Sequence, residues 1–191
     1  MLGQARMQID PALGGRAPGH VVHFYQSDAA LGATVARFLF AGWRTRQPLV
    51  VLATRPHRDA IADSLRALGC DCDDPSLTFA DAEETLTSFM TGDGLDVDRF
   101  KLSMERLFEH SRRESDRRRV LFYGEMVDLL WRDGHAAAAL ELEELWNELG
   151  RGRSFSLLCG YAIGRFAEPD QASGFDAVCR LHEHVIDGVP R

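Results

Sequence analysis

The chain has 191 residues, a formal net charge of −7, and 45% apolar against 27% charged residues. That length fits one domain able to bury roughly 70% of its unfolded surface, and the balance is that of a folded soluble protein. The acidic excess argues against general binding to nucleic acid, and no run approaches the ~20 apolar residues of a membrane span.

Residues 1–18 mix Gly, Pro, Ala and Arg without periodicity or an apolar signal core, and read as a loose arm. His20–Tyr25 is a short strand, after which Ser27 or Asp28 caps a helix running through Trp43. Leu49–Ala53 is a continuous apolar run, the pattern of a strand covered on both faces. Pro56 opens a second helix that Gly69 closes. Leu77–Ala80 is a third strand ending at Asp81, followed by a helix over Glu83–Met90, a loop over Thr91–Leu95 and a long helix from Val97 to Glu114. Val120–Tyr123 and Ser156–Cys159 are the fourth and fifth strands, with helices between them. Pro169 breaks the chain before a last helix over Gln171–Ile186, giving an arm (1–18), an α/β domain (19–168) and a C-terminal helix packed on it (169–191). Strands alternating with helices predict an α/β fold, a mostly parallel central sheet with helices on both faces.

In such sheets ligands bind outside the carboxyl ends of the strands, here marked by Tyr25, Thr54, Asp81, Glu125 and the segment Cys159–Tyr161. Asp81 and Glu125 equally suit the caps of the helices that follow them. On the helix Ala136–Leu149, Ala138, Leu142, Leu145, Trp146 and Leu149 form an apolar stripe, and Glu143 and Asn147 flank it at i,i+4. A carboxylate and an amide beside a buried indole would line a cavity or bond to each other. With Trp131, these residues describe a pocket for a small, largely apolar ligand.

Other chemistries are less well served. His20 and His23, three apart on one strand, face opposite sides and cannot share an ion. Cys179 and His182 share a helical face at i,i+3, whereas His184 is rotated away, so a core cysteine and surface histidines are expected and no metal or cofactor is assigned. The cysteines Cys70, Cys72, Cys159 and Cys179 lack zinc-ribbon spacing, and a cytoplasmic chain with reduced thiols is expected. The arginines at 112, 113, 117, 118 and 119, interrupted by Glu114 and Asp116, read as a solvated helix end and loop, or as a patch for an acidic partner. No phosphate-loop motif or nucleophile elbow follows any strand, and the turn Gln26-Ser27-Asp28 would repel phosphate. No catalytic residue is assigned.

The runs HVVHFYQSDAAL, LVVLATRPHR, ADAEETLTSFM, GEMVDLLWRDG, LELEELWNEL, FSLLCGY and VCRLHEHV occur in order over about 170 residues. In these the chain resembles the MEDS domain family, a sensory module of methanogens and methylotrophs shared with a dichloromethane-responsive transcriptional repressor. His20, Tyr25, Asp81, Glu125, Trp131, Glu143, Trp146, Asn147, Cys159, Tyr161, Cys179 and His182 occupy matching motif positions. The resemblance implies a RecA/KaiC-like core without the phosphate loop, and a role in sensing small hydrocarbon derivatives. Many relatives carry the domain beside a kinase, a DNA-binding region or an anti-sigma-related module. None is present here, so a separate signalling protein of one of these kinds is expected as partner, or a change of homo-oligomer. Two alternatives stand beside a non-enzymatic sensor of this kind. One is a ligand-free interaction module, and the other is a metal-dependent or acid/base enzyme built on Asp81, Glu125 and the terminal histidines.

Overall fold

The structure, a computed structural model, describes residues 19–111, 118–167 and 172–187. The expected N-terminal arm lies outside them, as do Arg112, Arg113, Glu114, Asp116 and Arg117 of the basic cluster, and Pro169 and Gln171. Among the described residues no helix is long and apolar enough to cross a membrane.

The elements in chain order are β1 (His20–Tyr25), α1 (Asp28–Arg44), β2 (Leu49–Ala53), α2 (Arg55–Ala67), β3 (Leu77–Asp81) and α3 (Ala82–Thr87). They continue with the short strands β4 (Met90–Thr91) and β5 (Gly94–Leu95), then α4 (Val97–Ser111), β6 (Val120–Gly124), α5 (Met126–Arg132) and α6 (Ala136–Gly152). The chain ends with β7 (Phe155–Ala162), a 3-10 turn (Ile163–Phe166), α7 (Ala172–Leu181) and β8 (His184–Asp187). Six strands form one parallel sheet in the order β3-β2-β6-β7-β1-β8. The expected α/β architecture is therefore present.

Strand handedness assigns the helices to faces. The steps β1 to β2 and β2 to β3 run one way across the sheet, and the steps β3 to β6, β6 to β7 and β7 to β8 run the other way. Right-handed crossovers then place α1 and α2 on one face and α3 to α7 on the other. Two separate buried clusters match that division. Leu31, Val35, Leu39, Ile61 and Leu65 pack on one side, and Phe100, Met104, Met126, Leu142 and Val178 on the other. Every residue of β2 is buried, as its unbroken apolar run requires of a strand covered twice.

Local chemistry sets the helix ends. Ser27 caps α1, its Oγ accepting from the Ala30 N–H at 3.3 Å. Proline stands in the first turn of α2, and Gly69 (φ 88°) follows its end in the left-handed region.

Three segments differ from the sequence reading, and the first is the helix expected over Glu83–Met90, which ends at Thr87 and leaves Met90 to β4. The expected loop at Thr91–Leu95 is pinned by a small antiparallel pairing of Met90 with Leu95 and Thr91 with Gly94. The last helix stops at Leu181 instead of reaching Ile186, and His184–Asp187 pairs in parallel with Val21–Phe24. The apolar residues Val178, Leu181 and Val185 fit a helical period, but Val185 and Ile186 satisfy the open edge of β1 as a strand.

His23 and His20 do face opposite sides. His23 is buried, and its Nδ1 meets the Ile186 carbonyl at 3.4 Å. Burial lowers its pKa from 6.5 to about 4, the bond to Ile186 partly opposing this and the charge of Arg37 adding to it. The folded value lies below the unfolded one, so the unfolded chain takes the proton first as pH falls. Stability from His23 is complete above pH 6.5 and is lost progressively down to about pH 4. Urea midpoints across that range should fall by the equivalent of up to about 3 kcal/mol from this residue. His23→Gln should show a shallower fall.

Candidate functional site

The carboxyl edge of the sheet is closed by a polar network around Glu125. The loop after β2 leaves toward α2 and the loop after β6 toward α5, on opposite faces, so the two adjacent strand ends form a switch-point crevice. Glu125 fills it. Its Oε1 accepts from the Thr54 N–H and hydroxyl, both at 2.7 Å, and its Oε2 from Tyr123 Oη at 2.8 Å and His57 Nδ1 at 2.7 Å. The His57 Nε2 reaches Asp28 at 3.3 Å, and the Tyr25 ring stands edge-on to His57 at 5.7 Å. The bond to Glu125 raises the His57 pKa, against the effect of burial. Gly160 makes room for this network, because a Cβ there would lie 2.6 Å from Tyr123 Oη.

Asp81, at the end of β3, accepts from the N–H groups of Glu83 and Glu84 and pairs with Arg58 at 2.9 Å. It is thus a helix cap, as its position suggested. Glu125 is not, since its side chain makes no cap hydrogen bond to α5.

The remaining sequence-selected residues lie deeper. Glu143 is fully buried on α6, its Oε1 accepting from Tyr161 Oη at 2.9 Å and its Oε2 from Cys159 Sγ at 3.3 Å. Cys159 and Tyr161 alternate on β7 and so point to the same face. His20 Nε2 lies 3.1 Å from Glu143 Oε2 and 3.3 Å from Cys159 Sγ. His182, just past α7, brings its Nε2 to 3.4 Å from the same carboxylate. Burial opposes a charge on Glu143, but His182 and His20 beside it hold its carboxyl well below the usual range. Burial and then the charge of Glu143 push the Cys159 thiol and the Tyr161 hydroxyl far up.

Asn147, one turn beyond Glu143, does not bond to it. Its Oδ1 meets His20 Nδ1 at 3.0 Å and its Nδ2 donates to the Leu181 carbonyl at 2.9 Å. One amide therefore joins β1, α6 and the end of α7.

The two tryptophans serve different aromatic groups. Trp131 packs with Tyr161, Phe166 and the backbone of α7, where a Cβ on Gly174 would lie 2.5 Å from its ring. Trp146 packs edge-on to Phe100 and beside Phe122 and Phe155. Trp146 and Asn147 also line a cleft of about 330 Å³ with His20, Phe155, Arg119 and Arg153. His20 and Phe155 begin their strands, so this cleft lies at the amino edge of the sheet, opposite Glu125.

The structure thus divides the selected residues. Tyr25, Asp81 and Glu125 stand at the carboxyl edge. Glu143, Cys159 and Tyr161 form a buried polar island, and Trp146 and Asn147 face the amino-edge cleft. His20, His57, Thr54, Tyr123 and His182 complete these networks. The sequence reading places His182 at the surface, whereas it is buried, and the partner it shares with His20 is remote in the chain.

No curated protein matches the chain. The model of the MEDS family, described as the methanogen/methylotroph, DcmR sensory domain, matches residues 19–183. That span holds the whole sheet up to its last strand, the Glu125 network, the buried island and the cleft, and the chain belongs to the MEDS family of sensory domains.

Proposed function

We propose that this sensory domain binds a small, largely apolar ligand in the amino-edge cleft, without turning it over, and passes the event to a partner protein. The partner acts in transcriptional or two-component-type regulation in the cytoplasm. The observation that carries this reading is Asn147. It faces the cleft and holds both His20 and the last carbonyl of α7. A ligand engaging that amide changes the attachment of α7 and β8 directly, so binding and output share one residue.

The cleft supports a small ligand. Its volume of about 330 Å³ suits a small molecule, and buried Trp146 and Phe155 contribute apolar edges to a lining whose other side chains are His20, Asn147, Arg119, Arg151, Arg153 and Glu183. The site therefore differs from the carboxyl-edge pocket expected from strand polarity alone, where Glu125 already has its full set of partners. Coupling to a partner falls to α7 and β8, and among the described strands β8 pairs only with β1.

Native mass spectrometry of untagged protein, followed by denaturation, should release a stoichiometric small molecule or leave an empty cleft that can be filled. In the second case, titration with short-chain alcohols, aldehydes and halogenated alkanes should change tryptophan fluorescence saturably. Asn147→Ala should weaken that response by roughly tenfold or more. Absence of any released molecule and of any saturable response would refute ligand sensing in this cleft.

A further inference from the structure

We propose that His20, Glu143, Cys159 and His182 form a binding site for a single divalent transition ion, of the zinc or cobalt class. One ligand atom from each, Nε2 of both histidines, Sγ of Cys159 and a Glu143 carboxylate oxygen, lies within 4.8 Å of all the others, and all four residues are buried. The site borders the cleft through His20 and Asn147 but does not require the small ligand proposed above.

The hydrogen bonds around the cluster aim it inward. Asn147 must turn its Nδ2 toward the Leu181 carbonyl, which fixes Oδ1 toward His20. His20 Nδ1 then carries the proton, leaving a lone pair on Nε2. His182 Nδ1 donates to the Val178 carbonyl at 2.7 Å, so its Nε2 lone pair also faces the cluster. Among the described residues that buried nitrogen makes no hydrogen bond, its neighbour being Glu143 Oε2 at 3.4 Å. With both histidines neutral, two imidazole lone pairs and a carboxylate oxygen converge there with one thiol proton between them, and a cation at the centre would satisfy them in place of the proton that otherwise pairs His182 with Glu143.

The spacing suits such an ion. Tetrahedral zinc with N, O and S ligands separates neighbouring ligand atoms by about 3.3 to 3.8 Å. Of the six separations, four are 3.1 and 3.3 Å from His20 Nε2 to Glu143 and Cys159, 3.3 Å from Cys159 to Glu143, and 3.4 Å from His182 to Glu143, and none exceeds 4.8 Å. On binding, the Cys159 S–H bond breaks, its proton leaves to solvent and the sulfur bonds to the ion. Thiolate and carboxylate together then balance the double positive charge inside a dry core. Two imidazoles and a thiolate select a zinc-like ion over calcium or magnesium, which prefer oxygen. Four protein ligands from β1, α6, β7 and the end of α7 make it a closed clamp that ties the terminal helix to the sheet.

The test is titration of untagged, chelator-treated protein with Co²⁺ alone. One equivalent should produce the visible bands of tetrahedral cobalt and a near-ultraviolet thiolate-to-cobalt band. Cys159→Ser should abolish the thiolate band, Cys179→Ser should keep it, and Asn147→Ala should weaken binding about ten- to hundredfold. Folding of each variant is checked by circular dichroism, and the unsubstituted protein decides the case if Cys159→Ser does not fold. Folded protein that takes up no stoichiometric cobalt, or takes it up without a thiolate band, would overturn the site. An ion bound with no response to the organic panel would retain the metal site and remove the ligand reading. The reverse pattern would do the opposite.

Discussion

Replacing Glu143 with alanine is expected to be among the most damaging single changes in this chain, costing about 3–5 kcal/mol. The carboxylate is fully buried and accepts from Tyr161 and Cys159 with His20 and His182 close by. Its removal leaves those groups in an apolar interior with no water to replace the lost partner. Thermal unfolding should move down by roughly 10 °C for a domain of this size. Tyr161→Phe removes one donor and keeps the ring against Trp131, so about 1 kcal/mol is expected. Similar losses in the two variants would mean that Glu143 acts through one bond only, not as the hub of the island.

Glu125→Ala is expected to cost about 3 kcal/mol, because it orphans groups from the junction of β2 with α2, from α2 and from β6 at once. Its pH signature separates it from simple cavity formation. The bond to Glu125 holds the His57 pKa above its unfolded value of 6.5. Folded His57 therefore keeps its proton longer than the unfolded chain. This contribution is complete below pH 6.5 and is lost as pH rises through the folded value. Glu125→Gln should flatten the alkaline decline in urea midpoint. His23 slopes the other way, losing stability as pH falls from 6.5 toward 4, so its acidic decline should persist in that variant. Loss of both slopes together would assign the pH dependence elsewhere.

Much of the fold was legible because its signals are local. The unbroken run Leu49–Ala53 marked a strand covered on both faces, and β2 lies between β3 and β6 with every residue buried. The capping Ser27 and the early Pro56 placed two helix starts. The end of the chain misled, since Val185 continues the helical period of α7 while the open edge of β1 decides in favour of a strand. That preference lies in tertiary structure and leaves no local mark.

The site followed the same division. Helical geometry put Glu143 and Asn147 on the flank of the α6 stripe, which is where they lie, and strand parity separated His20 from His23. Sequence could not show that His20, Cys159 and His182 meet Glu143, because each arrives from a different element. The comparison of His20 with His23 alone, and of His182 with Cys179 and His184 alone, left the cross-sheet cluster out of view. Strand polarity also pointed to the carboxyl edge as the pocket. There Glu125 is tied to Thr54, His57 and Tyr123, and the cleft beside Trp146 and Asn147 lies at the opposite edge.

Asn147 links the cleft to the C-terminal elements, and amide hydrogen exchange of Asn147→Ala against the unsubstituted protein tests that link. Loss of the amide should free the Leu181 carbonyl and His20, so exchange should quicken over α7 and β8 and at the start of β1. Protection in β2 and β3, remote from that junction, should stay unchanged. Unaltered exchange over α7 and β8 in a folded variant would contradict the coupling and leave the cleft without a route to a partner.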